Sequence, residues 1–242
     1  MESEIGTLTS ITRYPVKSMA GESLENSALG WHGLEGDRRF AFRRLEDTAG
    51  FPWLTAGRAP QLIRYQPFRL SGDMENPLPS HVRTPDGKEF ELQSEELRAE
   101  IARLYGKDVQ LMQLNQGVFD EAALSLISLG TIAGLELECG KTLDVRRFRP
   151  NLVIETLSGK PFSEDEWVGK IIRFGTDGGP EVSITLRDVR CAMINLDPDT
   201  AESDPIVLKS VARTNEVCAG VYATVTKTGV VTVGQKLFLK SF

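Results

Sequence analysis

The chain has 242 residues, of which 40% are hydrophobic, enough for a sizeable core in one large domain or two closely associated ones. Its formal net charge of −6 argues against a nucleic-acid-binding protein, whose surface would be basic. No apolar run approaches the ~18 residues of a membrane span, and the acidic N-terminus does not resemble a signal or transit peptide. The spacing of the three cysteines excludes a zinc cluster and a disulfide framework. We therefore expect a cytoplasmic protein without nucleic-acid or membrane partners.

Short strands separated by turns are predicted in the first half of the chain. Pro15 interrupts the first strand and leaves Lys17 and Ser18 in a loop. Period-two patterns predict strands over residues 5–11, 37–42, 62–65 and 109–114. A hairpin turns at residues 85–88, and a helix begins after Ser94 and ends at Gly106. This pattern is typical of a β-barrel or sandwich, with a boundary near residue 115.

The second half combines strands with two helices. Ser128 is a candidate N-cap for a helix over residues 129–138, which Gly140 ends. A second helix is predicted over residues 206–213. Strands are predicted over residues 152–154, 171–174, 182–186, 221–225 and 237–239. We interpret the acidic run at residues 164–166 as a solvated face.

One cysteine directly follows a predicted strand. The alternation of Val182, Ile184 and Leu186 predicts a half-buried strand that brings Cys191, beside Arg190, to the start of a loop. A neighbouring cation lowers the pKa of a thiol, and the thiolate binds soft metals or attacks electrophiles. The alternative, common for an isolated cysteine, is a buried thiol that only packs.

Several polar and basic residues lie at predicted strand ends and in loops, where the fold could bring them together. They are Lys17, Ser18, Arg38, Thr55, Ser125, Ser128, Arg149, Asn151 and Arg190. With backbone N–H groups free at the helix start after Ser128, they suit a phosphate and a ring of amide-like edges. A solvated or salt-bridged side chain explains each basic residue alone, so only the set predicts a site.

Five segments, in this order, resemble the MOSC proteins. They are YPVKS at residues 14–18, GDRRF at 36–40, FRPN at 148–151, RC at 190–191 with DPDT at 197–200, and VGQ at 233–235. They are similar to the branch with an N-terminal MOSC β-barrel domain, which includes the mitochondrial amidoxime-reducing component and its bacterial relatives. The resemblance implies an α+β, mostly β fold of two β-rich lobes with a few short helices. An N-terminal β-barrel-like domain would span residues 1–115, and a MOSC domain carrying Cys191 would span residues 116–242.

The resemblance also implies a molybdenum cofactor, a pterin whose dithiolene binds molybdenum, with Cys191 as the protein ligand to the metal. Lys17, Ser18 and Arg38 would contact the pterin or its phosphate. Further contacts would come from Thr55, Ser125, Ser128, Arg149, Asn151 and Arg190. Lys17, Arg38, Arg149 and Cys191 should therefore converge in a cleft between the lobes. The sequence departs from the family at residues 55–58, which read TAGR where relatives read TARQ. Pyridoxal phosphate is not expected.

Three functions remain open from the sequence. The first is an oxidoreductase that reduces small N-hydroxylated substrates (hydroxylamines, amidoximes, N-hydroxy bases) to amines or amidines. Its electrons would come from a separate redox protein of the ferredoxin, flavoprotein or cytochrome type. The second is a sulfur carrier or cofactor-handling protein, with Cys191 as a persulfide or cofactor anchor. The third is a β-rich module whose cysteine is structural, as we expect of Cys139 and Cys218.

Overall fold

The computed structural model describes residues 2–48, 50–70, 77–175 and 178–240, which contain sixteen β-strands and three α-helices. The strands of the first half are β1 Glu2–Arg13, β2 Glu22–Leu24, β3 Asn26–Gly30, β4 Gly33–Leu34, β5 Phe40–Arg44, β6 Gln66–Phe68, β7 His81–Arg83, β8 Glu89–Glu91 and β9 Val109–Gln113. Those of the second half are β10 Leu124–Ser128, β11 Leu152–Thr156, β12 Ile171–Phe174, β13 Glu181–Val189, β14 Cys218–Lys227, β15 Gly229–Thr232 and β16 Lys236–Lys240. The helices are α1 Glu95–Tyr105, α2 Leu129–Cys139 and α3 Ile206–Asn215.

A closed barrel of seven strands lies at the centre of the molecule. Its order is β1-β11-β10-β14-β13-β12-β16, and β16 pairs with β1 to close the ring. The β10–β11 pair is parallel and the other pairs are antiparallel. Alternate side chains point inward, so Leu8, Leu126 and Phe174 are fully buried in the barrel core. The predicted α+β, mostly β fold is confirmed.

A smaller lobe is inserted between β1 and β10. It contains the β5–β9 pair, the β6–β7–β8 meander and α1, which surround a separate core that includes Phe40, Leu97 and Ile101. Helices α2 and α3 pack together around a third core that includes Leu135 and Val211. Strand β1 thus pairs with barrel strands that follow residue 115, and the domain boundary at that residue stays a prediction.

The helix boundaries follow from local capping, as predicted. The Ser94 hydroxyl accepts a hydrogen bond from the Leu97 amide at the start of α1, and Gly106 ends the helix at φ 84°. Ser128 caps α2 in the same way, and Gly140 ends it at φ 69°. Glycine adopts this left-handed conformation without strain, which explains both ends. None of the helices in the described ranges is long and apolar enough to cross a membrane.

Two of the predicted strands differ from the structure. The prediction of a strand over residues 62–65 is wrong, because Pro60–Arg64 forms a 3₁₀ helix. Proline suits the first position of a helical turn, since its φ is fixed and it lacks the amide hydrogen that would stay unpaired there. The strand predicted from residue 37 begins only at Phe40, because Arg38 adopts a left-handed turn conformation at φ 47°.

Candidate functional site

A cavity of about 430 Å³ is lined by Cys191 together with residues of the smaller lobe and the barrel. We call it the thiol cavity. Of the residues predicted as a site, those that line it are Lys17, Ser18, Arg38, Thr55, Ser125, Arg149, Arg190 and Cys191. Asn151 does not line it, but its Oδ1 accepts a hydrogen bond from Arg38 Nη1 at 3.2 Å. Ser128 does not line it, and among the described residues its side chain bonds to Thr131 and Glu164 instead.

Cys191 is the exposed cysteine of this chain. Strand β13 ends at Val189, and Cys191 is the N-cap of a short 3₁₀ helix, Ala192–Asn195, with an extended backbone. Of the other two cysteines, Cys139 is half-buried and Cys218 is buried. Burial raises the pKa of the Cys218 thiol, which keeps it protonated. An exposed thiol in a cavity does not fit the alternative of a cysteine that only packs.

Lys17 places a buried cation in the cavity. Its side chain is 5% exposed, and its Nζ donates to Asp120 Oδ1 at 2.9 Å and to the Val118 carbonyl at 3.3 Å. Burial lowers the pKa of Lys17, and the Asp120 carboxylate opposes that effect. The ammonium also lies 5.2 Å from the centre of the Phe51 ring.

Arg38 and Arg149 contact the same aromatic ring. Their guanidinium carbons lie 5.1 Å and 4.2 Å from the centre of the Tyr14 ring. Burial alone would lower the pKa of Arg38, but the adjacent Asp37 carboxylate outweighs it and raises that pKa. No side chain in the described ranges accepts a hydrogen bond from the Arg149 guanidinium, and burial lowers the pKa of Arg149 to about 10. Two cations thus contact one aromatic ring, and Arg149 has no carboxylate partner in the described ranges. This arrangement favours the binding of an anion beside them.

Arg190 is bound to the protein rather than directed at a ligand. Its Nε donates to the Ala219 carbonyl at 2.7 Å, and its Nη1 donates to the Phe148 carbonyl at 2.8 Å. Its Nη2 pairs at 2.8 Å with Asp188, which also accepts from the Ser125 hydroxyl at 2.9 Å. Burial raises the pKa of Asp188, against the opposing charge of Arg190. This network fixes the strand end that carries Cys191.

The lining also includes residues that were not predicted from the sequence, among them Asp120, Asp188 and Tyr222. Asp188 precedes Arg190 by two positions, and the period of a strand places such a pair on one face. The sequence therefore did contain a signal for Asp188. Tyr222 comes from β14, the neighbour of β13, and burial raises its pKa. Nothing in the sequence marks Asp120, whose lysine partner lies 103 residues away.

The N-cap of α2, Ser128, contacts a buried carboxylate and does not line the thiol cavity, and the expectation that the amides after it bind an anion stays a prediction. The carboxylate of Glu164 accepts from the Ser128 amide at 3.0 Å and from the Ser128 hydroxyl at 2.7 Å. Glu164 is fully buried, so the prediction of a solvated face is wrong for this residue. A buried carboxylate needs hydrogen-bond donors, and Ser128 supplies two of them.

The unusual segment at residues 55–58 is divided between two cavities. Thr55 and Gly57 line the thiol cavity, whereas Arg58 is exposed and lines a different cavity with Arg44 and Tyr105. Gly57, which stands where the family pattern has arginine, therefore adds no charge to the thiol cavity.

The fold and the site define a β-barrel protein with a basic cavity that contains one exposed thiol. The model of the MOSC domain matches residues 106–238, and the model of the MOSC N-terminal beta barrel domain matches residues 5–126. The chain belongs to the MOSC family, in the branch with the N-terminal barrel domain, and the predicted resemblance is confirmed.

Two curated relatives are molybdenum cofactor sulfurases. The protein of Danio rerio is 26% identical, and the alignment covers 89% of this chain and 31% of the relative. The protein of Drosophila mojavensis is 25% identical, and the alignment covers 85% of this chain and 30% of the relative. The chain thus spans about a third of the length of these relatives. The YUAD protein from Bacillus subtilis shares the fold, with a TM-score of 0.54 at 12% identity over 100% of this chain and 98% of that chain.

Proposed function

We propose that the thiol cavity binds the molybdenum cofactor and that Cys191 is the protein ligand to the metal. The observation that carries the proposal is one cavity that contains the exposed thiol together with the cations of Lys17, Arg38 and Arg149. A thiolate suits a soft metal, and buried cations suit the phosphate of a pterin. The residues present therefore fit this cofactor.

The cationic side chains would hold the cofactor by charge-assisted hydrogen bonds. Lys17, Ser18 and Arg38 would contact its phosphate or pterin, and Asn151 keeps Arg38 in place through its Oδ1. Arg149 has donors that no residue of the described ranges uses, so it can bind an anion without breaking an existing bond. The cofactor, when bound, supplies two-electron oxygen-atom chemistry.

The proposed reaction is the reduction of N-hydroxylated compounds. An N–OH group takes up two electrons and two protons, the N–O bond breaks, and an N–H group and water form. The electrons come from a separate redox protein, and the exposed position of Cys191 leaves the site open to substrate and donor. The chain contributes binding, orientation and access.

A second candidate is a sulfur carrier or cofactor-handling protein. The likeness to molybdenum cofactor sulfurases favours it. In that case Cys191 carries a persulfide or anchors the cofactor, and no N-hydroxylated compound is reduced.

Metal and sulfur analysis of the purified chain separates these candidates. The chain is produced in a host that makes the cofactor, and molybdenum, pterin and cyanide-releasable sulfur are measured per chain. Reduction of benzamidoxime is assayed with a reduced viologen dye as electron donor. One molybdenum per chain with amidoxime reduction supports the reductase, whereas releasable sulfur without molybdenum supports the carrier.

Two cysteine variants make the test specific. We expect Cys191→Ala to abolish reduction, and Cys139→Ser, which changes a half-buried thiol at the end of α2, to retain it. Normal activity per chain in Cys191→Ala would show that the thiol is not the metal ligand.

A further inference from the structure

A second cavity, of about 630 Å³, adjoins the thiol cavity and shares Arg147, Arg149 and Met193 with it. We call it the arginine cavity. The arginines that line it are Arg64, Arg83, Arg146, Arg147 and Arg149. Among its lining residues in the described ranges, Asp199 is the one carboxylate. This concentration of basic side chains occurs in a chain whose net charge is −6.

Three of the five arginines are already paired with carboxylates. The pairs are Arg83 with Glu89, Arg146 with Asp144 and Asp199, and Arg147 with Asp197, at distances of 2.5 to 2.8 Å. These guanidinium groups are largely neutralised, and a ligand would have to compete with the protein for them.

The remaining two arginines have no carboxylate partner in the described part of the chain. Arg64 donates to the Gln61 side-chain oxygen at 2.9 Å, which carries no charge. Arg149 contacts Tyr14 and has no hydrogen-bond acceptor. Because a guanidinium offers five N–H donors, both groups can bind a carboxylate or phosphate through paired hydrogen bonds.

The rest of the lining is partly apolar. Ile63, Pro67 and Phe68 come from the smaller lobe, and Met193 and Leu196 come from the segment that follows Cys191. Because Arg149 is assigned to the cofactor, Arg64 is the cation left for a second ligand, and a site with apolar walls and this cation suits a ligand with an apolar body and an anionic group. Its volume is within the usual range for small-molecule sites, about 300–1,000 Å³.

We propose that the arginine cavity is the substrate site, and that it selects N-hydroxylated compounds with a carboxylate or phosphate on an apolar body. The N-hydroxylated class rests on the proposed function, whereas the selection of an anion rests on the lining of the cavity. Arg64 is the residue that determines this specificity, since Arg149 also lines the thiol cavity.

Equilibrium binding in the absence of an electron donor tests the proposal without turnover. Calorimetry on the protein as purified compares benzamidoxime with its 4-carboxy and 4-phosphono derivatives. We expect at least one anionic compound to bind about 10- to 100-fold more tightly than the neutral one, which corresponds to one charge-assisted hydrogen-bonded pair. Arg64→Gln should remove most of this difference, and Arg64→Lys, which keeps the charge, should preserve part of it.

Arg83→Gln is the matched control, because Arg83 lines the same cavity but is paired with Glu89. It should change the preference for the anion by less than about threefold, since its charge is already neutralised. Equal affinity for neutral and anionic compounds would overturn the inference, and so would equal losses in Arg64→Gln and Arg83→Gln.

The two proposals fail in different ways. If the anionic compounds bind through Arg64 but none is reduced, the proposed function fails and the anion selectivity stands. If benzamidoxime is reduced but the anionic compounds bind no better than it does, the proposed function stands and the anion selectivity is overturned.

Discussion

Arg149 is one of three residues that line both cavities, with Arg147 and Met193, and its conformation is set by the chain around it. It has a left-handed backbone at φ 50°, follows the 3₁₀ helix Val145–Phe148, and stacks its guanidinium on Tyr14. This backbone conformation is uncommon for a residue other than glycine, and such residues occur often at functional sites. The side chain is thus positioned without using its own hydrogen-bond donors.

For Arg149→Ala we expect weaker cofactor binding with intact chemistry. Loss of a charge-assisted hydrogen bond costs about 1.5–3 kcal/mol, which is roughly a 10- to 100-fold loss of affinity. Pterin per chain should therefore fall, while amidoxime reduction per bound molybdenum stays near that of the unchanged protein. Arg98→Ala, on the exposed side of α1, is the control and should retain the cofactor. Full cofactor content together with lost activity would assign Arg149 to the chemistry instead.

The buried ammonium of Lys17 predicts a dependence of cofactor binding on pH. Its pKa is lowered from the ordinary value of 10.5, so the folded protein loses this proton earlier than an exposed lysine does as the pH rises. The attraction for a phosphate disappears with the charge. We expect the pterin retained after dialysis to fall at a pH below 10.5, and Lys17→Arg to retain it to higher pH because guanidinium stays protonated. Identical retention curves for the two proteins would exclude Lys17 as the titrating group.

Among the three α-helices of the described ranges, α2 has the most deeply buried N-terminus. Its N-cap Ser128 accepts from the Thr131 amide at 3.0 Å and donates to the buried Glu164. The N-cap of α1, Ser94, makes the same bond to the helix but donates to the Glu91 carbonyl in an exposed setting. The two serines therefore form a natural pair for comparison.

Ser128→Ala should destabilise the protein more than Ser94→Ala. Loss of an N-cap costs about 0.5–2 kcal/mol, and a buried acceptor left with fewer donors costs about 1–3 kcal/mol more. In a chain of this size each kcal/mol lowers Tm by about 2–4 °C, which thermal unfolding can resolve. Pterin per folded chain should not change, because Ser128 lies outside the thiol cavity. A drop in pterin at an unchanged Tm would make Ser128 a cofactor contact.

At the scale of the whole molecule, the features that could be predicted from the sequence are those that neighbouring residues along the chain determine. Helices α1 and α2 were predictable because serine and glycine caps act within one turn, and the Cys191 strand was predictable from alternation. The pairings within the site were not, because Lys17 meets Asp120 across 103 positions and Ser125 meets Asp188 across 63. Only the folded barrel determines which carboxylate neutralises which cation. Hence Lys17 could be named from sequence, but not its engagement by Asp120.

Closure of the barrel by β1 links the chain's first residues to its second half, and Gly6 lies in this seam. Gly6 pairs with Thr156 of β11 and with Leu237 of β16. A Cβ at this position would lie well inside van der Waals contact of the Glu155 carbonyl oxygen, which is backbone and cannot move aside alone. Only glycine allows the two strands to approach so closely.

Gly6→Ala should therefore strain the barrel seam and destabilise the protein. Overpacking of this kind costs about 1–3 kcal/mol, so Tm should fall by about 2–12 °C. Gly30→Ala is the matched control, because Gly30 also lies in a strand, β3, but a Cβ there meets nothing closer than 4.0 Å. Its Tm should stay within about 2 °C of that of the unchanged protein, since an unhindered surface substitution usually changes stability by less than about 0.5 kcal/mol. Equal melting temperatures for the two variants would show that β1 is not held in the register described here.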